Sequence, residues 1–167
     1  TNPTTTYSDF QGKTVLVKKA DGFVLSAYDS NENLTSTTDE LNRTTGYTID
    51  GLNRVHIQTL PDSAQTIFGY DPAGNLLSRA MPNSLTWSAT YNSSSRKLTE
   101  KLMQGAPPTR SYSYVYFPSG NNTGELQTTT DPRSIVSTYA YDDFDRVHSV
   151  SASDANFGLT QTFTYDL

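Results

Sequence analysis

The stretch Tyr28-Asp29-Ser30-Asn31-Glu32-Asn33-Leu34 returns 21 residues later as Ile49-Asp50-Gly51-Leu52-Asn53-Arg54-Val55. It returns after the same step as Tyr70-Asp71-Pro72-Ala73-Gly74-Asn75-Leu76 and as Tyr91-Asn92-Ser93-Ser94-Ser95-Arg96-Lys97, and Tyr7 lies one such step before the first copy. Beyond residue 91 the step lengthens to 25, 25 and 24, through Tyr116, through Tyr141-Asp142-Asp143-Phe144-Asp145-Arg146-Val147 and into Tyr165-Asp166. A fixed period of this size marks an array in which one supersecondary unit stacks on copies of itself. We read residues 1–167 as a single array of about seven such units.

The unit is a β-hairpin. Positions two apart on a strand share a face, and counting back from the lead residue pairs Tyr47 with Ile49, Phe68 with Tyr70, Tyr139 with Tyr141 and Phe163 with Tyr165. Between them stand Thr48, Gly69, Ala140 and Thr164, small or polar, as the wetter face requires. The acid or amide after the lead residue starts a turn, because its side chain bonds the backbone two residues on. Four residues past the lead come Glu32, Asn53, Gly74, Ser95 or Asp145, where the chain reverses with positive φ. It leaves through a polar residue and, in most copies, an aliphatic one into a second strand. The expected fold class is all-β: tandem antiparallel hairpins joined into a curled strip. Two breaker-rich stretches, 104–109 and 118–124, read as lengthened turns, and no window has helical periodicity.

Composition narrows the functions. Charged residues are 17%, and 11 Tyr with 7 Phe argue against disorder. A net charge of −5 without a Lys/Arg cluster speaks against nucleic acid or an anionic membrane as partner. With no cysteine, disulfides and thiolate metal sites are excluded. No apolar run approaches the roughly 20 residues that span a bilayer, and the start Thr1-Asn2-Pro3 is no signal peptide.

The copies Tyr28-Asp29 with Asn33-Leu34, Tyr70-Asp71 with Gly74-Asn75-Leu76, and Tyr141-Asp142 with Arg146-Val147 resemble the YD repeat of Rhs proteins, of the BC component of Tc toxins and of teneurins. The resemblance covers nearly the whole chain. It implies a β-strip that spirals into a hollow shell around an enclosed toxin or effector, in a bacterial protein acting outside the cell or at its surface, with the export signal elsewhere. The family's self-cleavage motif has no counterpart: Asp71-Pro72 lies within a repeat, and Asp131-Pro132 continues as Arg133-Ser134-Ile135. The resemblance therefore implies scaffolding without proteolysis. A single sheet with an aromatic face needs cover, so the expected partner is neighbouring strip or a second copy.

No catalytic, metal or cofactor residue is assigned. Asp29, Asp50, Asp71 and Asp142, with Tyr28, Tyr70, Gly74 and Tyr141, read as structural repeat positions. Asp142-Asp143-Phe144-Asp145 lacks the ligand spacing of a calcium loop. His56 and His148 follow the aliphatic exit at matching positions and read as structural. The serines form no Gly-x-Ser-x-Gly elbow, and no glycine loop cradles phosphate. Trp87, Tyr91, Tyr112, Tyr114, Tyr116, Tyr139 and Tyr141 share one face by repeat phasing. They are either the core of the strip or platforms that stack on sugar rings, so a carbohydrate ligand is the alternative to the shell. The sequons at Asn33, Asn42, Asn92 and Asn121 count for little in a bacterial protein.

Overall fold

In a computed structural model, residues 4–19, 22–104, 110–153 and 158–165 are described, and no helix occurs among them. The strands are β1 (Thr5–Ser8), β2 (Thr14–Lys19), β3 (Gly22–Tyr28), β4 (Leu34–Asp39), β5 (Thr44–Ile49), β6 (Val55–Thr59), β7 (Gln65–Tyr70) and β8 (Leu76–Ala80). They continue as β9 (Leu85–Tyr91), β10 (Lys97–Gln104), β11 (Arg110–Tyr116), β12 (Leu126–Thr130), β13 (Val136–Tyr141), β14 (Val147–Ser153) and β15 (Gly158–Thr162). Sheet order is sequence order throughout the 15 strands, as tandem hairpins demand. By packing the chain divides into two units, Thr1–Gly69 with Ser78–Ser84, and Tyr70–Leu77 with Leu85–Leu167.

Every recurrent turn is built alike. The N–H of the acid donates to the carbonyl four residues on, and the N–H three residues on donates back to the acid's carbonyl, as in Asp50 N to Arg54 O (2.8 Å) and Asn53 N to Asp50 O (3.1 Å). The third residue after the acid closes a type I turn in the left-handed region. Glu32, Asn53, Ser95 and Asp145 have φ of 69°, 60°, 58° and 58°, and Gly74 has 90°, the reversal points expected from the sequence. A β-bulge follows each of these exits where register is resolved: Tyr141 pairs with Val147 but Ala140 with Ser149, and Ile49 pairs with Val55 but Thr48 with Ile57. The extra residues there are His148 and His56, so the matching histidines are bulge positions, where a strand twists more strongly.

Two readings change in detail and a third holds. The first turn is capped by Asp9, whose Oδ1 accepts the N–H groups of Gln11 and Lys13 (2.9 Å each), so its lead position is Ser8 and Tyr7 lies one residue out of phase. The same turn also occurs between the repeats: Asp39 accepts from Leu41 and Arg43, and Asp131 from Arg133 and Ile135. Asp131-Pro132 is thus an ordinary turn opening, with proline where φ is already set. The stretch 118–124 is the repeat turn enlarged: Phe117 N bonds Glu125 O at 2.9 Å, Gly124 N bonds Phe117 O at 2.8 Å, and Gly124 has φ 89°. The other lengthened turn, at residues 104–109, lies outside the described residues from 105 on, as do Thr1-Asn2-Pro3 and Asp166.

Candidate functional site

The lead tyrosines join one hairpin to the one before it. Five of their hydroxyls donate to the carbonyl of the first residue of the neighbouring strand before them: Tyr28 to Thr14 (3.0 Å), Tyr91 to Leu76 (3.1 Å), Tyr116 to Lys97 (2.9 Å), Tyr141 to Leu126 (2.9 Å) and Tyr165 to Val147 (2.8 Å). In several copies the last residue of the preceding turn also lays a cation on the ring: Lys13 on Tyr28 at 4.9 Å, Arg96 on Tyr116 at 5.8 Å and Arg146 on Tyr165 at 4.4 Å. Such a hydrogen bond contributes about 0.5–1.5 kcal/mol and an exposed cation–π contact about 0.5–1 kcal/mol. Turn side chains add a second seam, from Asn33 Nδ2 to Asn53 Oδ1 (2.9 Å) and from Asn75 Nδ2 to Ser95 Oγ (3.0 Å).

Within the second unit the register gathers the candidate aromatic residues. Ala89, Glu100 and Tyr112 form one cross-strand row, and Trp87, Leu102 and Arg110 the next. Lys97 Nζ contacts Glu100 Oε2 at 2.5 Å and stands 5.4 Å from the Trp87 ring centre. The Lys97 ammonium holds the Glu100 carboxyl below the usual carboxylate range against partial desolvation, and the Trp87 side chain adds to this by hydrogen bonding. Glu100 in turn holds the Lys97 ammonium above its ordinary value. Burial, then the Glu100 charge, pushes the Tyr114 hydroxyl up. Tyr141 packs edge-on against Phe117, with centroids 6.3 Å apart, and burial raises its hydroxyl as well.

Most of these aromatic residues are only half-buried. Ala89, 5% exposed, is the one buried apolar side chain among the described residues. Tyr91, Tyr116 and Tyr141 are committed to the seams, Trp87 has a lysine on its ring, and Tyr112, at 39%, is the most exposed of the set. The Lys97–Glu100 pair was not foreseen. Its only trace in the sequence is Lys97 standing where other copies carry an aliphatic exit. The acids stay in their turns: Asp142 accepts from Phe144 N and Arg146 N and pairs with Arg146 Nε at 2.7 Å. No group of three metal-binding side chains forms among the described residues. His56 Nδ1 lies 2.9 Å from Phe68 O.

Comparison with solved structures identifies the architecture. A chain of the TcdB2–TccC3–TEV crystal structure superposes with a TM-score of 0.74 at 16% identity, over 98% of this chain and 11% of that one. This chain has the fold of a Tc-toxin β-strip. The strip also matches a chain of the Photorhabdus luminescens Tc holotoxin pore, with a TM-score of 0.64 at 18% identity over 80% of this chain and 7% of that one. TcdB2–TccC3 without its hypervariable C-terminal region gives 0.63 at 12%, over 98% and 11%. The strip therefore spans about a tenth of the first chain it matches, and the match supports the YD-repeat resemblance read from the sequence. No protein-family model and no curated protein matches the sequence.

Proposed function

We propose that the YD-repeat strip is a non-enzymatic section of wall in a bacterial Rhs- or Tc-type shell that acts outside the cell and encloses a toxin or effector polypeptide. The observation that carries this reading is the match of 98% of the strip to 11% of a Tc toxin chain. The seams support it, since they tie each hairpin to the one before it. The half-buried aromatic face then borders neighbouring strip or enclosed chain.

The test is protease protection in the full-length protein that carries the strip. A specific cleavage site placed in the exposed stretch 119–121 opens the wall on demand. Protection of the remaining polypeptide before the cut, and its digestion after, is the expected result. Equal digestion before and after the cut rejects enclosure. A second reading, carbohydrate binding, rests on the exposed ring of Tyr112; a glycan array with Tyr112→Ala and Trp87→Ala variants decides it.

A further inference from the structure

We propose that the turn at Asn92 holds a carboxylate supplied by a second polypeptide. In other turns that end in arginine, the capping acid closes on it: Arg43 Nε meets Asp39 Oδ2 at 2.7 Å, Arg54 Nε meets Asp50 Oδ2 at 2.8 Å and Arg146 Nε meets Asp142 Oδ2 at 2.7 Å. At Asn92 an amide replaces the acid. Its Oδ1 performs the turn-capping role, accepting from Ser94 N (3.0 Å) and Arg96 N (2.9 Å). Where an acid would offer Oδ2 to the arginine, Asn92 offers the donor Nδ2. Two donor groups, Asn92 Nδ2 and the Arg96 guanidinium, thus belong to residues that line one groove, with no side-chain acceptor for either among the described residues.

The guanidinium is nevertheless held in place. It lies over the Tyr116 ring at 5.8 Å and against Gly124, where a Cβ would overlap it. Gly124 is buried at φ 89°, which only glycine adopts freely. Beside it runs a groove of about 480 Å³ whose walls include Ser94, Thr123, Val115 and Pro118. A planar guanidinium held in one orientation with an amide donor beside it matches the two oxygens of a carboxylate. The apolar wall of Val115 and Pro118 fits an aliphatic side chain next to that carboxylate, as in a peptide, better than the hydroxyl-rich ring of a sugar acid. The site is independent of the wall reading.

The test is an NMR titration of the chain with the dipeptide acetyl-Leu-Asp-amide, with sodium acetate, glucuronate and chloride as parallel arms. Expected are saturable shifts of the Arg96 Nε–H and the Gly124 N–H in the millimolar range with the dipeptide, weaker by about tenfold in Arg96→Gln. Asn92→Asp supplies an internal acceptor, so it is expected to abolish binding while keeping the turn. Unchanged binding in Asn92→Asp, or equal shifts with chloride, overturns the site. Saturation by glucuronate but not by the dipeptide overturns the polypeptide assignment.

Discussion

At the scale of single residues, each position of the repeated phrase has a separable role. The acid fixes the turn through backbone N–H groups, and in most copies the arginine or asparagine four residues on donates to its second oxygen. Hydrogen bonding from Asn33, Arg43, Arg54 and Asn75 holds Asp29, Asp39, Asp50 and Asp71 below the usual carboxylate value of 3.8. A carboxyl depressed in the folded state stabilises it above the unfolded pKa, and the contribution is lost as pH falls through the lower folded value. The urea midpoint should therefore stay level from neutral pH down to about pH 5 and fall below about pH 4; Asp50→Asn should both lower the midpoint at pH 7 and flatten that fall. At the seam, Tyr116→Phe removes one hydroxyl bond and is expected to cost about 0.5–1.5 kcal/mol by chemical denaturation. Reading this position was possible in outline only. Spacing showed that a tyrosine recurs, but its acceptor, 14 to 19 residues earlier, is set by the register of the neighbouring hairpin.

At the scale of the hairpin, the reversal point governs the cost of change. Ser95 and Glu32 bear side chains at φ 58° and 69°, which glycine tolerates better. Ser134→Gly, at φ 66° and with no side-chain role in a seam, is expected to relieve about 1 kcal/mol of such strain, less what the freer unfolded chain takes back, whereas Gly74→Ala, at φ 90° with open space around it, should cost about 1 kcal/mol from the backbone alone. Denaturation midpoints of the two variants should move in opposite directions. The turns between repeats were legible and went unread: Asp39-Glu40-Leu41-Asn42-Arg43 matches Asp50-Gly51-Leu52-Asn53-Arg54 at four of five positions. The enlarged turn from Phe117 to Glu125 shows why the step grew, since it keeps the hydrogen bonds and the left-handed glycine while lengthening the loop between them.

At the scale of the whole molecule, buried surface is short, with Ala89 the one buried apolar side chain among the described residues. The chain exposes 11469 Å², whereas a compact monomer of 18.4 kDa exposes about 8,000 Å². Calorimetric unfolding should therefore show a heat-capacity change below the usual ~12–15 cal/mol/K per residue. Association with strip or a second copy would raise it and make the melting temperature depend on concentration; sedimentation velocity on the same samples separates the two cases. A value in the ordinary range without association would contradict the half-buried face around Trp87.

What the sequence determined by itself is the local grammar: the period, the hairpin, the aromatic face from Tyr47 to Tyr141, and the left-handed positions at Glu32, Asn53 and Gly74. These follow from forces that act within about five residues, namely turn capping by Asp, the steric demand of positive φ and the alternation of a strand. Only the tertiary structure decided which groups from different hairpins meet. The Tyr116 hydroxyl finds the Lys97 carbonyl, the Lys97–Glu100 pair sits under Trp87, and Arg96 lies on Gly124 without a carboxylate. Each depends on register and on a bulge that shifts it by one residue, and a one-residue shift reassigns which side chain faces which neighbour.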